Sequence, residues 1–380
     1  MAVLRALAAA LLGAAAALGA CSAPTSVASS EPTARATDGN GPQACAWFGD
    51  ARGDVLYFGI SRFWSASRAA GGDPTAELRA DGAREIGRFD LARGALLAPL
   101  AIAPDAGGGI WDVLVHPNGW LYFTTFFESA GRVELASGRV EWFDGAGTGL
   151  NELAMTPDGR VLATRYGRDG KSGGVAVLNE QGAPIAEHAL SEAPGFVVAA
   201  KSLAYDAGRD AVWLNTDLLP TNGGATDHDA RVISLAEGRE LARWRVPELQ
   251  FVAFAADGTG FLVERDAERL LLRIIEPSAR APLQLAGRSV LLDGSFPALD
   301  FAQDVKLAPD GSAVVTRWSG AVHVVSRRGE VRTIVLPRRE GGLYYTGVSR
   351  DGELCVTLCA ATEVLCTTSK QVRDQQHSRE

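Results

Sequence analysis

From about residue 46 onward, apolar residues come in short runs separated by compact polar turns. The stretch "DVLVHPNGWLYFTT", Asp112 to Thr125, is representative: one apolar run, a Pro-Asn-Gly reversal, and a second run. Runs of this length, rich in Val, Leu, Phe and Tyr and bounded by turn residues, predict β-strands. Asn-Gly and Asp-Gly between them predict tight hairpins, because these residues tolerate positive φ. The pattern turns at Gly119 and recurs as "ELAMTPDGRVLA", "FVAFAADGTGFLV", "DVKLAPDGSAVV" and "YTGVSRDGELCV", turning at Gly159, Gly258, Gly311 and Gly352. Two degenerate copies, "SLAYDAGRDAVWL" and "AWFGDARGDVLYF", lack the turn glycine at the matching place.

A second hairpin follows each of the first six copies, for example "RVELASGRVEWF" and "VHVVSRRGEVRTIVL". The repeating unit is therefore four strands, and Gly119 and Gly159 are 40 residues apart while Gly258 and Gly311 are 53 apart. Two different turns alternating at this period predict an all-β fold, a single β-propeller of four-stranded blades over residues 44–369. Seven blades are expected, with six as the alternative if the degenerate first hairpin is dropped. The seventh copy is followed by only one strand, "EVLCTTS", and a polar tail, residues 370–380. The outer edge of that blade is thus unpaired unless another segment covers it.

In such a fold the first strand of each blade lines the channel, and the tight turns gather on one face. The insertions fall on the other: "SRFWSASRAAGGDPTAELRADGA", "RYGRDGKSGG", "TDLLPTNGGATDHDA" and "LAGRSVLLDGSFPALDFAQ". Long loops on a rigid scaffold are where binding residues concentrate, so this is the expected working face. Eight residues before the turn positions, at the channel rim, stand Trp111, Asn151, Lys201, Gln250, Gln303 and Tyr344, with a less certain position near Ala44. An aromatic and amide rim with one cation suits hydrogen bonding and stacking on a polar organic group or a peptide, or it simply holds water. Asp112, Glu152 and Asp304 adjoin it as further acceptors, as caps for backbone amides, or as partners for Lys201.

"DVKLAPDGSAVVTRWSGAVHVVSRRGEV" resembles an NHL-type repeat, and "GLNELAMTPDGRVLATRYG" is similar to the Asn-bearing strand of gluconolactonase and senescence-marker-type propellers. The second resemblance implies a hydrolase or lactonase holding a divalent cation such as calcium with a Glu, two Asn and an Asp at the rim. Asn151 matches one Asn position. Lys201 stands where the second would be, Gln303 stands at the Asp position, and no Glu is evident on the first strand.

In "TDHDA", Asp227, His228 and Asp229 are placed in a loop, where alternation would throw both Asp to one side. They offer metal ligands or a general-base pair, or else form an exposed polar tip. No Gly-x-Ser-x-Gly elbow, His-Glu-x-x-His pair or Cys-x-x-Cys motif occurs. The expectation is a binding or interaction module with no cofactor, for an envelope protein, a peptide or a small polar ligand. The alternative is the metal-dependent hydrolase or lactonase, with its cation near Asn151.

The N-terminus changes the picture of location. Arg5 precedes an Ala/Leu-rich run to Ala20 that has signal-peptide length and is too short to span a bilayer. It ends in "LGAC", which resembles the bacterial lipobox and implies lipidation at Cys21. Residues 21–43, rich in Ser, Thr, Pro and Ala, read as a flexible tether. The reading is a cell-envelope protein, lipid-anchored outside the cytoplasm. The formal charge of −8 becomes −9 without residues 1–20, and with no basic cluster this argues against nucleic acid. Export permits disulfides among Cys45, Cys355, Cys359 and Cys366. Cys355 and Cys359 are too far apart along one strand to be bridged, whereas Cys366 can face one of them across the hairpin.

Overall fold

The computed structural model describes residues 34–36, 45–61, 85–102, 110–125, 129–143, 149–167, 172–246, 249–266, 269–276, 287–292, 302–317, 320–335, 343–348, 354–358 and 363–367. Strand β1 (Ala34–Ala36) opens the described chain. A first sheet follows: β2 (Cys45–Arg52), β3 (Val55–Ser61), β4 (Glu85–Asp90) and β5 (Ala95–Ala101). The second is β6 (Ile110–Val115), β7 (Trp120–Thr125), β8 (Ala130–Glu134) and β9 (Val140–Trp142). The third is β10 (Leu150–Met155), β11 (Val161–Arg165), β12 (Gly174–Leu178) and β13 (Pro184–Ala189).

The fourth has the longest strands, β14 (Phe196–Asp206) and β15 (Ala211–Pro220), with β16 (Asp227–Ser234) and β17 (Glu240–Arg245). The fifth is β18 (Leu249–Phe254), β19 (Gly260–Asp266), β20 (Arg269–Ile275) and β21 (Arg288–Leu291). The sixth is β22 (Ala302–Leu307), β23 (Ala313–Arg317), β24 (Ala321–Val325) and β25 (Val331–Val335). The seventh contains β26 (Leu343–Val348), β27 (Leu354–Leu358) and β28 (Glu363–Thr367), completed by β1 at its outer edge.

All strand pairings among the described residues are antiparallel. The first strands neighbour one another in a ring: β2, β6, β10, β14, β18, β22 and β26, with β26 returning to β2. The molecule is an all-β propeller of four-stranded blades. Its cores lie between adjacent sheets, where apolar faces meet. Leu162, Val175 and Val177 of the third sheet pack on Val198, Ala200, Val212 and Leu214 of the fourth. Phe261, Val263 and Leu272 of the fifth pack on Val305, Ala313 and Val315 of the sixth. Each fully buried large side chain there contributes about 1.5–3 kcal/mol.

Two expectations are corrected at the ends of the elements. Residues 21–43 are not tether throughout, since Ala34–Ala36 pair with Val364–Cys366. Main-chain hydrogen bonding at an open sheet edge selects an extended segment whatever its hydrophobicity. The second correction concerns "TDHDA". Asp227, His228 and Asp229 are not a loop tip but the start of β16, in ladder with Leu218, Asp217 and Thr216. The reversal lies instead at Thr221–Gly223, with Gly223 at φ +80°.

Candidate functional site

Each first hairpin carries an irregularity at one place, and five of the rim residues follow from it directly. The ladder shifts between Ile110 and Asp112, between Ala200 and Ser202 and between Leu249 and Phe251. It shifts likewise between Ala302 and Asp304 and between Leu343 and Tyr345. Trp111, Lys201, Gln250, Gln303 and Tyr344 are the residues bypassed. In the third sheet the shift spans Leu150 to Leu153 and includes Asn151. In the first it lies between Ala46 and Gly49. The rim position of that sheet is therefore at Trp47–Phe48 rather than near Ala44. A bulge breaks the in-out alternation of a strand and re-aims the extra side chain, a device found at barrel rims and beside active sites.

The side chains of Gln250 and Tyr344 lie outside the described residues, as do residues 62–84 of the first insertion. Among the others, Trp111 and Lys201 are partly exposed, whereas Asn151 and Gln303 are buried. The Asn151 Oδ1 is buried without a hydrogen-bond partner among the described residues.

One step deeper, the inner strands carry acids. Asp112 accepts the amides of Val113 at 2.8 Å and of Leu153, on the next sheet, at 2.7 Å. Asp50 likewise accepts the Val115 amide of the next sheet at 2.8 Å. These carboxylates fasten neighbouring sheets at the channel. Asp304 accepts the Val305 amide and lies 3.6 Å from the Lys306 ammonium. Burial raises the carboxyls of Asp50, Asp112, Glu152 and Asp304 above their ordinary range, against the pull of Lys306; Asp112 is pushed up to about 7. Burial alone would lower the Lys306 ammonium, but the carboxylates around it, Asp304 foremost, raise it.

Lys201 turns elsewhere. Its ammonium lies 3.5 Å from Asp217 Oδ2, and the other Asp217 oxygen is 2.9 Å from His228 Nδ1. Lys201 therefore pairs with Asp217, on the adjacent strand of its own sheet, rather than with Glu152 or Asp304. It is also not the only cation of the channel, since Lys306 serves the acids. Burial would raise Asp217, but Lys201 and His228 more than offset it and hold the carboxyl below its ordinary value. An ionised buried carboxylate thus orients an imidazole through Nδ1 and leaves Nε2 toward a partly open surface. Such a row can bind an acidic or hydrogen-bonding group, or move a proton.

Asp227 and Asp229 share the opposite side of the sheet from His228, as alternation requires, and both pair with Arg245, at 2.8 and 3.3 Å. The three residues therefore do not converge on one centre. No three His, Cys, Asp or Glu side chains among the described residues come together as metal ligands. Asp217 and Lys306 were missed in the sequence. Asp217 was hidden because "TDLLP" reads as an insertion, although extending the strands past it sets it opposite His228. Lys306 stands two residues after Asp304, the spacing that puts strand residues on one face.

No protein-family model and no curated protein sequence matches the chain. Solved structures do. A streptogramin B lyase superposes with a TM-score of 0.60 at 12% identity, covering 86% of this chain and 94% of that one. A catalytically inactive variant of virginiamycin B lyase from Staphylococcus aureus, with quinupristin, gives 0.59 at 10% identity, covering 87% and 96%. Kuenenia stuttgartiensis hydrazine synthase gives 0.62 at 12% identity, covering 92% and 99%. At these identities the likeness is one of fold, a β-propeller spanning most of each chain.

Proposed function

We propose that this chain is a lipid-anchored, seven-bladed binding propeller of the bacterial cell envelope. Its working surface is the loop end of the channel, and its ligand is a small polar molecule or peptide segment bearing an acidic group. The supporting observation is the coincidence of all six rim residues with the bulges of the inner strands, one of which delivers Lys201 to the Asp217–His228 pair. A cation and an imidazole tied to one buried carboxylate form a prepared seat for an anion, and Trp111 holds the corresponding rim position two sheets away.

The test is calorimetry with succinate, citrate and acidic dipeptides. Trp111→Ala and His228→Gln should each weaken binding about tenfold, a loss near 1.4 kcal/mol. Asp158→Ala, on the tight-turn face, should leave binding unchanged. Loss of binding in the turn-face variant alone would overturn the assignment. Lys201→Ala is the less clean variant, because it also removes a partner from buried Asp217 and should lower the melting temperature.

The anchor has its own test: Cys21→Ser should abolish labelling by a radioactive fatty acid, and undiminished labelling would refute it. A second reading, a hydrolase using His228 as general base, is favoured by the Asp217–His228 contact. In its metal-dependent form it places a cation such as calcium near Asn151. Equilibrium dialysis finding one tightly held divalent ion, lost in Asn151→Ala, would select it.

A further inference from the structure

The loop end of the fourth sheet has a second face, and it carries a different site. Cross-strand register sets Leu218, Asp229 and Arg245 on one side, and Asp217 and His228 on the other. On the first side a cavity of about 340 Å³ opens between the sheet and the crossing that leads into β14. Phe196 and Leu218 line it with apolar surface, Glu192 and Asp229 with carboxylates, and Arg243 and Arg245 with guanidiniums. Opposite charges and an apolar wall thus meet in one pocket.

Asp229 is the unusual member. It is 1% exposed, and its Oδ2 receives the Arg231 guanidinium at 3.2 Å. Its Oδ1 lines up with no hydrogen-bond donor among the described residues. The Arg245 Nε lies 3.3 Å away, close enough for charge attraction but off hydrogen-bond geometry. A buried acceptor left without a donor costs free energy that a ligand ammonium can recover. Next to it, Arg243 and Arg245 have half-exposed side chains, 39% and 58% accessible, with Glu240 3.4 Å from Arg243 and Asp227 2.8 Å from Arg245. Their remaining N–H groups suit a carboxylate. The Arg245 guanidinium also lies 5.9 Å from the Phe196 ring centre, so the cationic and apolar walls are continuous.

We propose that this pocket binds a free amino acid with an apolar side chain. The ammonium is received by Asp229 Oδ1, the carboxylate by Arg243 and Arg245, and the side chain by Phe196 and Leu218. The volume holds one such molecule with accompanying water. The site is independent of the rim, since it uses the other face of the sheet.

Calorimetry on the full-length protein with L-leucine and L-phenylalanine tests it, alongside their N-acetyl and amide derivatives. Saturable one-site binding is expected, with each blocked derivative at least about tenfold weaker, because each forfeits one of the two charged contacts. Arg243→Ala, at an exposed position, should weaken binding about tenfold without changing the melting temperature, and His228→Gln should leave it intact. Absence of saturable binding by either amino acid up to about 10 mM would overturn the proposal. So would equal binding of the blocked derivatives, or indifference to Arg243→Ala.

Discussion

Gly119 and Gly159 occupy the same turn position in successive sheets, with φ of +92° and +87°. A side chain in that region costs about 1–2 kcal/mol by itself. At Gly119 an added Cβ meets open space, whereas at Gly159 it meets His116 Nε2 at 3.3 Å. That nitrogen is 2.9 Å from the Gly159 carbonyl oxygen and so links two sheets. Gly119→Ala should therefore cost the backbone strain alone, about 1–2 kcal/mol. Gly159→Ala should cost measurably more, as its Cβ also crowds the inter-sheet contact. Urea unfolding of the two variants is the comparison, and equal losses would show that the His116 contact is immaterial. The fourth sheet makes its turn without glycine there: Asp210 takes φ +45° and is secured by the Tyr205 hydroxyl at 2.9 Å.

At the scale of elements, the seventh sheet is assembled from both ends of the chain. β1 lies against β28, and β28 against β27 in a register that makes Cys355 and Cys366 direct partners. Directly opposed residues of antiparallel strands have Cα atoms about 4.5–5.5 Å apart, within the span a disulfide bridges. The side chains of both lie outside the described residues; if the chain is exported as proposed, this backbone register makes the pair the expected disulfide. Cys359 lies outside the described residues, and Cys45 begins β2, whose side chain there is likewise outside them. Peptide mapping without reduction should yield a Cys355–Cys366 cross-linked fragment, and four free thiols would contradict it. The same register makes β1 the covering strand of an otherwise open edge, which joins the segment after Cys21 directly to the ring.

For the whole molecule, the channel acids set the response to pH. Asp50, Asp112, Glu152 and Asp304 have raised folded-state values, so the folded protein binds more protons than the unfolded chain. Through these acids stability should fall as pH rises from the unfolded carboxyl range, near 4, through the folded values, about 7 for Asp112, while His188, held below its ordinary value by burial, works in the opposite direction. Each titrating carboxyl contributes about 1.4 kcal/mol per pH unit within its window. The raised Lys306 contributes stability throughout this range and loses it only in strong alkali. The urea midpoint should be lower at pH 8 than at pH 5, and Lys306→Met should lower it more at pH 8. A midpoint that rises between those pH values would refute the account. Among the described residues no helix is long and apolar enough to cross a membrane.

What the sequence determined by itself was local. Hydrophobic runs and Asp-Gly or Asn-Gly reversals specify hairpins, because strand and turn preferences depend on near neighbours. Their alternation specified four-stranded blades. Counting back from the turn positions reached Trp111, Asn151, Lys201, Gln250, Gln303 and Tyr344, since a bulge holds a fixed offset from the turn it precedes. Tertiary structure alone decided what each side chain meets. Lys201 could face Glu152, Asp304 or a ligand, and only the lengthened β14–β15 hairpin brings Asp217 beneath it. "TDHDA" has loop composition, yet ladder hydrogen bonds to "TDLLP" make it a strand and divide its residues between two faces. Ala34–Ala36 have almost nothing to bury and pair only because the ring leaves an edge for them. Non-local contacts of this kind depend on where the chain returns in space, which a one-dimensional pattern does not record.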